Sequence, residues 1–412
     1  MIPTFSLSRL ASQLRTATMA TCLATAVIAP SISSAEVPTE PPSSMSETIK
    51  VRQKYFGFEN VDALTGNVRS DRVIISWLTT TTFAVAANGK VFFLDAYLFQ
   101  DLNVTAPARK RTPTTLQEMV DARPEWIFIG HGHGDHADYA ANIAYRTGAK
   151  VFGAAEHCSA LQVDTANQFG DGAKISCTAV IPEGAPIGTQ VLNMPDLKPA
   201  LCLNVIRHLH GATVPPDPEL PPMGIEFTDG EDPREKDIWG EGPAMWPDVR
   251  TVGKPGGDLT VMYHFTVPGE NSFSFASYDS VGPWKENAPE LGPLLSAFPA
   301  TDVLLGAVSG GNTVNNGLRD AALYIKTMQP KVFVPTHHDQ SQIRRGAAGN
   351  SGEFWSRKLK EALGYVGVDS AQQPEIRWLN DASDYARPAY LTFDPASARW
   401  SKAGGRANPV CN

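Results

Sequence analysis

The chain predicts an α/β fold with helices layered on β-sheet, and three observations carry that reading. A strand-like apolar run at 126–130 leads into a glycine-rich turn, a helical stretch at 137–147 and a further strand at 150–155. That order is how helices come to cover a sheet. Several apolar runs also end in a residue type that binds metal: Asp95, His131 with His133, His208 with His210, Asp279 and His337. Ligand types at the ends of separate strands can converge on one edge, the placement that a scaffolded site favours. Finally, two strand-rich halves surround the helices, although no internal repeat has a clear period.

The elements follow in order. Residues 1–35 read as a secretory signal: Arg9 and Arg15 give the positive start, 19–32 is apolar and rich in small residues, and Ser33, Ser34 and Ala35 suit cleavage before Glu36. The apolar run is shorter than the ~20 residues a spanning helix needs, and Pro30 closes it. Residues 36–70 are expected as a flexible N-terminal extension, proline- and serine-rich over 36–48, with Tyr55 and Phe56 able to dock on the body. The remainder, 71–412, reads as one domain. It opens with a β-branched strand at 73–86, a hairpin turn at Asn88-Gly89 and a return strand ending in Asp95. Thr115 and Glu118 form a capping-box pattern for a short helix to about residue 122. Gly148 stops the helix that begins at 137.

Residues 160–200 hold short strand-like pieces, including 174–180, and 201–210 is another apolar strand. Residues 211–257 break the pattern with paired prolines, acidic residues, Trp239 and Trp246. A long aperiodic stretch inside a domain is either functional or a solvated insertion; a lid and a surface loop are equally good readings here. Strands follow at 258–267, 272–277 and 301–308, a helix at 318–328, a strand at 331–335 and a helix at 354–363.

Composition bounds the function. With 412 residues, 42% hydrophobic and 19% charged, the chain can bury a sizeable core in one large domain or two. A net charge of −8 with no basic patch argues against nucleic acid as the main partner. Without the leader, four cysteines remain: Cys158, Cys177, Cys202 and Cys411. An even number in an exported chain permits disulfides, and three pairings stay open. No C-x-x-C spacing supports a cysteine-rich zinc site.

The chemistry concentrates in Gly130, His131, Gly132, His133, Gly134, Asp135 and His136. Imidazoles and a carboxylate this close are what a divalent metal such as zinc asks for, and the glycines permit the turn. His131 and His133 alternate along the backbone and can face one metal; Asp135 and His136 can reach a second. No G-x-S-x-G pattern offers a covalent route.

This pattern resembles the signature of the metallo-β-lactamase-fold hydrolases. The stretch from Trp77 to Phe83, followed by Phe93, Leu94 and Asp95, looks like that superfamily's opening hairpin. It is most similar to the branch of ascorbate-phosphate lactonases and N-acyl-phosphatidylethanolamine phospholipases, although that branch often has Gly-His where this chain has Thr79-Thr80. Asp279 matches the bridging aspartate and His337 the last histidine; the resemblance covers about 71–340. It implies an αββα four-layer sandwich with an irregular insertion at 211–257. It implies two divalent metal ions, zinc with manganese or iron as alternatives. His131, His133 and His210 would hold one, Asp135, His136 and His337 the other, with Asp279 bridging. His208 shares strand parity with His210 and stays open as the third histidine. Asp95 resembles a structural aspartate that orients the metal loop. His338 and Asp339 are second-layer candidates beside an equally good loop reading, and His157 and His264 read as packing or surface histidines. Asp135 could also orient the nucleophile.

The implied activity is that of an exported metallohydrolase, periplasmic or secreted, using a metal-bridging hydroxide on a small-molecule lactone or carboxylic ester. A phosphodiesterase of the phospholipase kind is the alternative, disfavoured by few basic residues near the motifs. A β-lactamase departs at the bridging Asp279. A non-catalytic binding protein would not require so complete a ligand set.

Overall fold

A computed structural model describes residues 41–98, 114–223, 258–338, 352–379 and 384–400. The strands, in chain order, are β1 (Val73–Thr79), β2 (Thr82–Ala87), β3 (Lys90–Leu94), β4 (Trp126–Phe128), β5 (Lys150–Ala154), β6 (Cys177–Ile181) and β7 (Gln190–Met194). They continue as β8 (Cys202–His208), β9 (Thr260–Thr266), β10 (Ser274–Tyr278), β11 (Val303–Ala307), β12 (Val332–Thr336), β13 (Glu375–Ile376) and β14 (Thr392–Phe393).

They form two seven-stranded sheets, β14-β1-β2-β3-β4-β5-β6 and β13-β12-β11-β10-β9-β8-β7. In the first, β1, β2 and β3 run antiparallel and β3 to β6 run parallel. The second repeats the plan: β7 to β10 antiparallel, β10 to β13 parallel. The tail strand β14 returns to β1, so the end of the described chain closes the first sheet.

Side-chain alternation along these strands builds three apolar layers. Val73, Ile75, Trp77, Phe92 and Phe128 from one sheet meet Val205, Tyr263, Phe265, Phe275 and Leu305 from the other between the sheets. Ile74, Ala84, Phe93 and Ile127 point the opposite way, onto helix residues Tyr55, Met119 and Ile143. Ile206, Met262, Ala276 and Leu304 do the same against Leu295, Tyr324, Ile325 and Leu359. Helices therefore cover both outer faces, the αββα sandwich that the resemblance implies.

Several expectations need correction. The extension at 36–70 is ordered from residue 45: helix Met45–Phe56, capped by Ser44, buries Val51, Tyr55 and Phe56. Those positions share one helix face, and burying it against the sheet layer outweighs the polar composition just upstream. Arg52 bonds the carbonyls of Ala122, Arg123 and Gly66, tying this helix to the body. The expected single strand at 73–86 is two strands. Thr80 adopts a left-handed backbone (φ 47°) and turns the chain between β1 and β2. Residues 155–169 form a helix rather than strand-like pieces, and the single helix at 137–147 is split into Gly134–Ala137 and Ala140–Thr147.

The 211–257 stretch is described only to 223; the rest, with Trp239 and Trp246, lies outside the described residues. The described part is pinned to the second sheet's helices. Asp217 takes the fully buried Arg319 at 3.0 Å and Lys285 at 2.7 Å, while Asn316 bonds the Asp217 amide and the Pro215 carbonyl. Cys158 and Cys177 are joined, linking helix Ala155–Phe169 to β6, and Cys202 is also in a disulfide.

Phe265, fully buried, sits 4.9 Å from the Phe128 ring, 4.9 Å from Phe275 and 5.5 Å from Phe92. Phe265→Ala is expected to destabilise the fold by about 3–5 kcal/mol in urea unfolding. A change below about 1 kcal/mol would mean the sheets do not meet through this ring.

Candidate metal centre

Every predicted ligand lies at one edge of the sandwich, in the loops and the short helix Gly134–Ala137 that follow the strands. His131 to His136 follow β4, His210 follows β8, Asp279 follows β10 and His337 follows β12. His131, His133 and His210 present donor atoms within 4.8 Å of one another, as do His131, Asp135 and His136, and also Asp95, His136 and Asp279. His337 joins through Asp135, its Nε2 3.3 Å from Oδ2, with its ring 5.1 Å from that of His136.

Asp95 organises the loop. Its Oδ1 accepts the Gly130 amide at 2.8 Å; its Oδ2 accepts the Thr81 hydroxyl at 2.6 Å and faces His136 Nδ1 at 2.9 Å. Asp95 and His337 share the left-handed backbone of Thr80, with φ of 53° and 58°. Such strain in non-glycine residues persists only where surrounding contacts hold it. Here the Asp95 amide bonds Phe128 O and the His337 amide bonds Thr80 O. Gly130 is required for a different reason: a Cβ there would overlap the Asp279 carboxylate.

The imidazole tautomers follow from their hydrogen-bond partners. His131 Nδ1 meets Asp279 Oδ2 at 2.6 Å, so its Nε2 keeps a lone pair. His133 Nε2 meets Asp258 Oδ1 at 2.9 Å, so its Nδ1 keeps one. These two acceptor nitrogens face each other at 3.2 Å. Ligands about 2.0–2.1 Å from a tetrahedral zinc are separated by roughly 3.3 Å, so a cation reconciles them. His210 Nδ1 donates to Gly211 O at 2.9 Å and leaves Nε2 free. His136 spends Nδ1 on Asp95 and leaves Nε2 buried with no partner. A buried acceptor without a partner costs about 1–3 kcal/mol. The donor set therefore fits divalent metal.

The electrostatics agree. Burial first, then His136 and His210, push His131 well below the usual histidine range. Burial and the Asp95 charge push Asp279 well above the usual carboxylate range. Burial opposes the charge on His136, but Asp135 and Asp95 raise it to about 9. Burial likewise opposes ionisation of Asp135, and His136 and His337 outweigh it, holding the carboxyl well below its ordinary value. Without a cation, His136 and Asp279 therefore hold protons, and a bound cation would displace them and free the His136 Nε2 lone pair.

Of the residues left open in the sequence, His210 is the one that joins His131 and His133, with ring centres 4.9 and 4.8 Å away. His208 is buried behind Asp279, its Nε2 3.9 Å from Oδ1. His338 packs on Trp77 and bonds the Leu379 carbonyl; Asp339 lies outside the described residues. His157 and His264 bond the carbonyls of Leu259 and Ala300, as packing histidines do. Sequence reasoning missed Asp258. It is exposed, at the end of an aperiodic stretch, and its approach to His133 and His210 is what marks it.

No protein-family model matches the chain. It is similar to a UPF0173 metal-dependent hydrolase of Pyrobaculum arsenaticum, 30% identical over 82 residues, or 20% of this chain and 32% of the relative. A UPF0173 metal-dependent hydrolase of Thermodesulfovibrio yellowstonii is 35% identical over 78 residues, 19% of this chain and 26% of the relative. The chain thus spans about a third or less of the length of these curated relatives. Among solved structures, the metallo hydrolase Igni18 of Ignicoccus hospitalis is 16% identical with a TM-score of 0.44, covering 78% of this chain and 98% of its own. The isothiocyanate hydrolase from Delia radicum gut bacteria is 13% identical with a TM-score of 0.40, covering 74% and 96%.

Gly130→Ala is expected to displace Asp279 and to lower zinc affinity at least about tenfold, a typical result of disturbing the groups around a metal, while far-ultraviolet circular dichroism stays unchanged. Wild-type affinity in that variant would contradict the close approach of Gly130 to Asp279.

Proposed function

We propose that the chain is an exported metal-dependent hydrolase. It holds two divalent cations, most simply zinc, and acts on a small-molecule lactone or carboxylic ester. The observation that carries the reading is the pair of lone-pair nitrogens, His131 Nε2 and His133 Nδ1, held face to face at 3.2 Å by acceptors behind them. The naming of the curated relatives as metal-dependent hydrolases supports it. His131, His133 and His210 would hold one cation, and Asp135, His136 and His337 the other, with Asp279 between.

When bound, such cations supply Lewis acidity, lowering the pKa of water and favouring an oxyanion. The chain's own groups do the rest. Asp135 keeps its carboxylate ionised beside His136 and His337, with its side chain about one-third exposed (31%), so it can orient a water as an acceptor. Asp95, Asp258 and the Gly211 carbonyl hold the tautomers of His136, His133 and His210. Export is supported by the Cys158–Cys177 disulfide, a bond typical of oxidising compartments.

Chelation should abolish turnover, and one added metal should restore it, on a panel of lactones, aryl esters, bis-aryl phosphates and β-lactams. Lactone or ester turnover is the expected result; turnover only of bis-aryl phosphates would replace the substrate class. Full metal occupancy with no turnover on any class would leave a binding protein. Asp135→Asn should lower kcat by about 10²-fold, the scale on which a misplaced reactant costs rate. For export, N-terminal sequencing of protein recovered outside the cytoplasm should begin at Glu36; an intact Met1 in that fraction would refute the leader.

A further inference from the structure

His208 is a buried histidine that the proposed chemistry does not use. It ends β8, is 2% exposed, and sits behind Asp279 rather than at the mouth of the site. Its Nε2 has no hydrogen-bond partner, and neither has Asp279 Oδ1, 3.9 Å away. Two unpaired polar atoms facing one another in a dry interior are an unfinished hydrogen bond. A modest turn of the carboxylate would complete it.

The other side of the ring decides which atom carries the proton. His208 Nδ1 lies 3.3 Å from the hydroxyl of Tyr324, on helix Arg319–Met328. Among the described residues no other acceptor lies within hydrogen-bond reach of that hydroxyl, so its proton goes to His208 Nδ1. His208 then bears its proton on Nε2, aimed at Asp279. The proposed ligands have the opposite arrangement: His131, His133, His136 and His210 each set one ring nitrogen against a carboxylate or carbonyl and keep the other as a lone pair.

The surroundings keep Tyr324 in place. It stacks on Tyr278 at 4.5 Å, and the Tyr278 ring fills the space that a Cβ on Gly306 would occupy. The next turn back is fixed by Arg319, bound to Asp217, Glu286 and Asp320.

From this we infer that His208 is a positioning residue: Tyr324 fixes its tautomer, and its Nε2–H anchors Asp279 Oδ1, while Oδ2 stays against His131 Nδ1 at the metal centre. The inference rests on the metal-centre reading above. It makes His208 and His210, two residues apart, opposites in role.

The test titrates zinc alone into the full-length mature protein against a chromophoric chelator, for wild type, His210→Ala, His208→Ala, His208→Gln and Tyr324→Phe, with each melting temperature recorded. His210→Ala should lose one zinc equivalent. His208→Ala and Tyr324→Phe should keep the wild-type stoichiometry but bind about 10- to 100-fold more weakly, the usual effect of removing a partner of a metal ligand. His208→Gln, which restores an N–H donor, should recover most of the affinity. A general loss of packing would not be rescued this way, and Tyr324→Phe keeps the ring if the alanine variant fails to fold. Loss of a zinc equivalent in His208→Ala but not in His210→Ala would make His208 a ligand and overturn the inference. So would wild-type affinity in both His208→Ala and Tyr324→Phe. A wild type that binds no zinc would instead remove the metal-centre reading itself, and this inference with it.

Discussion

The hydrogen bonds of the Asp95 carboxylate are the constraint on which the rest of this site depends. One buried side chain at the end of β3 receives the Gly130 amide, the Thr81 hydroxyl and His136. It thereby joins the β1–β2 turn, the β3 edge and the histidine loop after β4. The Ala96 amide bonds the His136 carbonyl, and the Tyr139 amide returns to Ala96 O, so the loop is gripped through backbone as well. Charge-assisted bonds of this kind are stronger than neutral ones and tolerate less displacement. Three left-handed residues lie here, Thr80, Asp95 and His337, tied by the backbone bonds from the Asp95 amide to Phe128 O and from the His337 amide to Thr80 O.

Part of this was legible in the sequence because the residue types are chemically distinctive. Three histidines and an aspartate within six positions have few uses other than metal, and strands ending in Asp279 and His337 extend the pattern. The four-layer sandwich followed from strand and helix order together with the resemblance, and it is the architecture found. What stayed hidden depends on contacts. Thr80 lies in a run of threonines with no glycine or asparagine to announce a turn, yet the chain reverses there. Helix Ala155–Phe169 buries only His157, Ala160, Leu161, Asp164 and Thr165, too polar a face for its period to stand out. Met45–Phe56 follows a proline- and serine-rich stretch that masks its start. Asp258 and Tyr324 gain meaning only from the imidazole each one touches.

The choice between His208 and His210 illustrates the same limit. Both have the parity of an inward-facing strand residue, so alternation cannot separate them. The strand ends at His208, and the chain beyond it turns, carrying His210 to the mouth and leaving His208 against Tyr324. The Gly211 amide bonds the Ser280 hydroxyl, which fixes that turn beside Asp279. Beyond it, Asn315, Asn316 and Arg319 take the carbonyls of Val214 and Pro215 and the carboxylate of Asp217. A few polar bonds outside the apolar core thus set which histidine faces His131 and His133.

The division of the site between two sheets has a consequence for how the molecule is made. His131 and Asp279 meet across 148 positions of sequence, and His337 is drawn from farther along still. Closing loops of that length precedes any reward from the contacts they bring, so the two halves must fold and dock before the full set of donors exists. A growing chain cannot recruit its cation early to guide folding, as small zinc-stabilised domains do. Maturation of this protein would end with the arrival of metal at an edge already built.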